Sequence, residues 1–132
     1  MNRGQLVDRV RDMYMAFGSG DPDAYRSAFS DQIVWHVPGD NPVSGTYRGD
    51  EYFQTMPTRM APLDDWRITV GDILTNERDR AALVRFHLVG ARRGILISMD
   101  GYHVVRLDQD GRIGEGWGFT ADQDRLDAFF RA

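Results

Sequence analysis

The sequence predicts an α+β domain, with helices gathered on one face of a mostly antiparallel sheet. Three features point there. Apolar residues recur at helical spacing in the first half, they alternate with polar ones in the second, and Asn/Asp/Gly clusters separate the alternating runs. The 132 residues contain no linker, repeat or low-complexity tract, so residues 1–132 are read as one domain.

Leu6, Val7, Val10, Met13, Tyr14 and Phe17 stripe one face of a helix from about Arg3 to Gly18, which Gly18-Ser19-Gly20 ends. Asp21-Pro22 pairs an N-cap with proline at the first helical position and opens a short helix through Phe29. The two helices are expected to form a hairpin. Ser30-Asp31-Gln32 reads as a turn, and Ile33-Val34-Trp35-His36-Val37 as a strand stopped by Pro38-Gly39. The stretch to Gly49 reads as a structured loop with a brief strand near Thr46-Tyr47. Asp50 to Met60 predicts a third helix, apolar through Tyr52, Phe53, Met56 and Met60; Pro57 is expected to kink or shorten it. Alternation then marks strands around Trp66–Val70, Leu83–Val89, Ile95–Leu107 and Ile113–Phe119. The turn sequences Asn76-Glu77-Arg78-Asp79 and Asp108-Gln109-Asp110-Gly111 fall between them. A last helix, Asp122 to Phe130, should dock Leu126, Phe129 and Phe130 on the sheet or on a partner subunit.

Composition removes several chemistries. With no cysteine there is no disulfide scaffold, thiol nucleophile or thiolate zinc site. All 16 basic residues are arginine, so Schiff-base chemistry, a P-loop and a Ser–Lys dyad lack their lysine. A net charge of −4 with scattered arginines gives no nucleic-acid footprint. No apolar run is long enough to span a membrane, and the N-terminus lacks a signal-peptide core; a cytoplasmic protein is the expectation.

Val34-Trp35-His36-Val37-Pro38-Gly39, then Pro42, Ser44-Gly45, Tyr47 and Gly49, resembles the loop signature of SnoaL-like and ketosteroid-isomerase-like proteins of the NTF2-like superfamily. Asp110-Gly111-Arg112-Ile113, with Glu115, Trp117, Ala121-Asp122-Gln123 and a terminal Phe129-Phe130, extends the likeness over essentially the whole chain. The resemblance implies an NTF2-like cone: N-terminal helices on a curved sheet that encloses a pocket. It implies a homodimer and proton-transfer chemistry such as isomerisation, cyclisation or dehydration of a small hydrophobic carbonyl or polyketide/steroid-like compound. No metal or organic cofactor is needed for that. The fold also hosts non-catalytic ligand-binding and dimerisation proteins, which stays an open alternative.

Carried over by position, the resemblance places His36 where steroid isomerases hold their general-base aspartate, counted back from Gly45. It places His103 where they hold the protonated oxyanion aspartate, counted back from Arg112, and puts Tyr14 near their oxyanion tyrosine. Both acidic roles are thus held by histidine, whose ordinary pKa of about 6.5 suits proton exchange near neutrality. The expectation is that His36 abstracts a proton while His103 and Tyr14 hold the developing oxyanion in a dry cavity. Each residue also has a structural reading: a histidine in a strand is commonly a satisfied core residue, and Tyr14 sits in an apolar helical stripe. Trp35, Phe53, Met56, Trp66, Met99, Trp117 and Phe119 are candidates for walls of a ligand site. Asp40 and Asp122 are candidates for orienting His36 or reaching the cavity, though a solvated turn and an N-cap explain them as well. His36, His87 and His103 show no paired metal-ligand spacing.

Overall fold

The computed structural model describes residues 1–132. Helices α1 (Arg3–Ser19) and α2 (Pro22–Ser27) lead into strands β1 (Phe29–Val37) and β2 (Gly45–Arg48), followed by helix α3 (Asp50–Met60). Strands β3 (Asp65–Asn76), β4 (Ala81–Arg92), β5 (Ile95–Leu107) and β6 (Ile113–Thr120) form a meander, and α4 (Gln123–Arg131) closes the chain. The six strands make one open sheet ordered β2-β1-β6-β5-β4-β3. All neighbours are antiparallel except β1 and β6, which run parallel.

The helix ends follow local chemistry. Asn2 and Gln5 cap α1 reciprocally, each side chain accepting from the other's backbone N–H, and Gly20 ends the helix at a left-handed φ of 74°. Asp21 Oδ1 accepts from the N–H groups of Asp23 and Ala24 at the start of α2. That helix is shorter than the sequence predicts, because Phe29 already belongs to β1. Ser30-Asp31-Gln32 is correspondingly strand and not turn. A shift in the β1–β6 register between Phe29 and Val34 accommodates these polar residues within the strand. α3 runs through Pro57 to Met60.

One sheet face is covered and the other is open. Ala82, Val84, Phe86 and Leu88 of β4 point inward and are buried, whereas Arg85, His87 and Val89 point outward and are exposed. Inward residues form two apolar clusters. One joins Leu6, Val10 and Met13 of α1 to Phe29, Ile33 and Trp35 of β1; the other joins Leu126, Phe129 and Phe130 of α4 to Phe86, Leu88 and Met99. Burial of such aromatic and aliphatic side chains is the main stabilising term. No helix is long and apolar enough to cross a membrane.

Candidate functional site

Residues from both clusters line a cavity of ≈160 Å³. That is about the size of an engineered apolar cavity that holds a benzene ring. β1 supplies Trp35 and Val37, β4 Phe86 and Leu88, and β5 His103; α1 supplies Met13 and Tyr14, and α3 supplies Tyr52, Met56 and Met60. A wider groove of ≈510 Å³ shares Phe17, Tyr25, Tyr52, Met56, Met60 and Trp66 with it, and carries Asp21, Asp64 and Asp65 among its bordering residues. The cavity lining holds no Arg, Asp or Glu.

Tyr14 and His103, 89 positions apart, meet here: Tyr14 Oη lies 2.5 Å from His103 Nδ1. The imidazole stacks on Phe86, with centroids 4.3 Å apart, and takes the edge of Trp35 at 5.3 Å. Burial among these rings disfavours the imidazolium and lowers the His103 pKa from 6.5 to about 4. Burial, then the neighbouring Tyr52, raises the Tyr14 pKa well above its usual 10. Both groups are neutral at physiological pH. His103 Nε2 has no protein partner and keeps accessible surface toward the cavity. A second phenol pair, Tyr25 and Tyr52, hydrogen-bonds at 2.9 Å behind it.

His36 corrects the expectation of two imidazoles facing one cavity. Strand alternation puts Trp35 and Val37 inward, so His36 lies on the outer face of the sheet. There Nε2 pairs with Glu115 Oε2 at 2.9 Å and Nδ1 with Thr46 Oγ1 at 3.0 Å, while the ring stacks on Trp117 at 5.3 Å. Trp117 is therefore an outer-face residue and no part of the cavity wall. His87 is also outward, bonded to Asp100 and Ser98; the three histidines do not converge.

Among the expected wall residues, Trp35, Met56 and Trp66 line the cavity. Phe53 borders only the outer groove, where the Arg26 guanidinium covers its ring. Met99 is packed in the α4 cluster and does not reach the lining. Phe119 touches the cavity edge but stays 53% exposed. Asp40 does not orient His36: its exposed carboxylate pairs with Arg131 at 2.8 Å. Asp122 caps α4 by accepting from the Arg125 N–H and does not reach the cavity.

One polar network escaped the sequence reading. Asp127, buried on α4, accepts from Asn41 Nδ2 at 2.7 Å and from Gln123 Nε2 at 2.8 Å. Burial alone raises its pKa, but hydrogen bonds from Gln123, Asn41 and the Asp40 backbone, with the Arg131 charge, outweigh that and hold the carboxyl below its usual range. Asn41 also accepts from the N–H groups of Val43 and Ser44, and Ser44 donates to the Pro38 carbonyl. The loop between β1 and β2 is thus pinned to α4 and walls the cavity through Pro38, Asn41 and Val43. The available signal was Asp127 lying one helical turn before Phe130, on the apolar side of α4.

The sequence model of the SnoaL-like domain matches residues 10–116. No curated protein shows significant sequence similarity to the chain. Among solved structures, Bal32a from a soil-derived mobile gene cassette superposes with a TM-score of 0.89 at 22% identity, over 97% of this chain and 98% of its own. A protein of unknown function with a cystatin-like fold from Xanthomonas campestris gives 0.87 at 27% identity, over 100% of both chains. BvnE pinacolase from Penicillium brevicompactum gives 0.81 at 15% identity, over 96% of this chain and 92% of its own.

Proposed function

Because this chain belongs to the SnoaL-like domain family, we propose that its cavity is the site of a cofactor-independent proton transfer on a small, uncharged, flat carbonyl compound of the polyketide or steroid type. The observation that carries this reading is the Tyr14–His103 hydrogen bond inside a chamber whose remaining wall is mainly apolar and carries no charged side chain. Isomerisation, dehydration and intramolecular aldol closure each move a proton between carbon and oxygen, and a neutral imidazole beside a phenol can both accept and donate. The substrate is uncharged because no cationic side chain lines the cavity, and an unpaired buried anion costs several kcal/mol. The chamber takes the ring bearing the reacting oxygen, and the outer groove takes the remainder. A pinacolase on this fold supports an enzymatic reading.

The test is deuterium exchange α to the carbonyl of 2-tetralone, followed by NMR. The wild-type protein should accelerate exchange, and His103→Gln should lower the rate by about 100-fold. Equal exchange with both proteins removes the cavity from the chemistry. A second reading, ligand binding without turnover, is favoured by the absence of any carboxylate base in the lining. It predicts thermal stabilisation by 2-naphthol, a stable enol analogue of 2-tetralone, with no exchange of 2-tetralone itself.

We also propose that the outer sheet face pairs two copies of the chain. Trp117, Val104, Leu83 and Leu74 stand in one cross-strand row, beside Phe119 and Tyr102 in the next. Leu74 is 61% exposed and Tyr102 43%. Arg85 and Arg106 interleave with Asp72, Asp100 and Glu115 on this face, so a two-fold axis can set opposite charges against each other. Light scattering at micromolar concentration should give a dimer, and Leu74→Asp combined with Phe119→Asp a monomer. A wild-type monomer overturns the pairing.

A further inference from the structure

Resting on the cavity as a proton-transfer site, we propose that Tyr14 and His103 act as one neutral relay, not as a separate base and oxyanion holder. The pair carries two mobile protons over three sites: Tyr14 Oη, His103 Nδ1 and His103 Nε2. The 2.5 Å contact joins the first two, and the third is open to the cavity.

The step balances without an ion. With the substrate carbonyl accepting from the Tyr14 O–H, His103 donates its Nδ1–H to Tyr14 Oη and offers the Nε2 lone pair to the substrate α-C–H. The C–H proton passes to Nε2, the Nδ1 proton passes to Oη, and the phenol proton passes to the carbonyl oxygen. The C–H electron pair becomes the enol double bond, and the carbonyl π pair takes the phenol proton. The protein ends with Nε2–H and with Tyr14 donating to Nδ1. Running the sequence backward onto a different carbon completes an isomerisation and restores the first tautomer.

The surroundings favour a neutral path. Trp35, Phe86 and Gly118 face the imidazole from β1, β4 and β6, and none is titratable. The titratable groups near the pair are Tyr52 of α3 and Tyr25 of α2, themselves hydrogen-bonded to each other. No carboxylate or guanidinium lines the cavity to stabilise an imidazolium–enolate pair. Burial disfavours charge on both members, lowering the His103 pKa and raising that of Tyr14. Gly118 lies beside the ring without crowding it: a Cβ there is at contact distance, 3.8 Å, from His103 Cδ2 and is tight only against Pro38 Cδ, at 3.0 Å.

The experiment follows conversion of 3-cyclohexen-1-one to its conjugated isomer by ultraviolet absorbance in mixtures of H₂O and D₂O. A relay moves two solvent-exchangeable protons in the rate-limiting step, so the rate should fall along a curve as the deuterium fraction rises. The rate should also stay level from about pH 5 to about pH 9, because neither group ionises there. Tyr14→Phe and His103→Gln should each lose about 100-fold, and the double variant little more, as expected of groups acting as a unit. A linear isotope dependence, or a Tyr14→Phe rate within about threefold of wild type, overturns the relay. Both isotope and pH measurements use the wild-type protein, so they stand even where a variant folds poorly. Exchange of 2-tetralone with a linear isotope dependence keeps the cavity as the site and removes only the relay. Absence of both reactions in the wild type removes both.

Discussion

Gly116 and Trp35 face each other across the parallel pairing of β6 with β1, and the indole occupies the space a side chain on Gly116 would need. A Cβ built on Gly116 falls 2.1 Å from the six-membered ring of Trp35. The missing side chain lets the indole lie flat against the sheet, with Tyr52 stacked at 5.9 Å and His103 meeting it at 5.3 Å. The cavity wall therefore depends on a position that reaches the ligand space only through Trp35.

Gly116→Ala is expected to destabilise the protein by about 1–3 kcal/mol, the usual cost of overpacking a filled core. It should also weaken 2-naphthol binding as the indole is displaced. Urea unfolding followed by tryptophan fluorescence measures the first effect, and titration of the folded variant measures the second. A variant as stable as the wild type would show that β1 and β6 can separate freely at this point.

His103 makes stability depend on pH in a definite window. Its folded pKa of about 4 lies below the 6.5 of an ordinary histidine, so the unfolded chain takes up a proton first as pH falls. Its neutral, buried form is fully compatible with folding above pH 6.5, and stability is lost progressively from there down to about pH 4. At about 1.4 kcal/mol per unit the loss approaches about 3 kcal/mol. Urea midpoints at pH 7 and at about pH 4.5 should differ more in the wild type than in His103→Gln; equal differences would mean the imidazole is hydrated in the folded state.

His36→Gln should leave 2-naphthol affinity within about twofold, because the ring lies across the sheet from the cavity. Its pair with Glu115 joins side chains that are 30% and 31% exposed, so stability should fall by no more than about 1 kcal/mol. A large loss of exchange activity in this variant would return His36 to the site through the sheet and contradict the placement described above.

Asp127→Ala strips Asn41 and Gln123 of a shared acceptor, at a cost of about 1–3 kcal/mol. The wild-type carboxyl is held below its usual pKa, so its contribution is present at neutral pH and is lost as pH falls through that lowered value. Release of the loop between β1 and β2 should appear as faster amide hydrogen exchange at Val43 and Ser44, whose N–H groups bond to Asn41. Unchanged protection there would mean the loop holds its shape without α4.

Helices and strands were legible because local pattern is enough to specify them. Asp21-Pro22 marks the start of α2 wherever the helix packs, and Asp108 to Gly111 turns the chain through its own side chain, Asp108 Oδ1 accepting from Asp110 and Arg112. The miss at Ser30–Gln32 has the same origin in reverse. Three polar residues favour a turn locally, and only pairing of β1 along β6 draws them into a strand. The family resemblance brought Tyr14 and His103 to notice. No spacing of 89 residues could show that the two side chains touch.

The alternation of β1 alone puts Trp35 on one face and His36 on the other, because successive side chains in a strand point opposite ways. It did not determine which face is inside. Both residues are large and polar-tipped, so a one-residue change of register would exchange them at little local cost. The packed sheet sets it: the space left by Gly116 on the inner face is filled by the indole, while Glu115 and Thr46 on the outer face offer His36 hydrogen bonds. Which imidazole enters the cavity depends on neighbours from β2 and β6 that no local pattern around His36 contains.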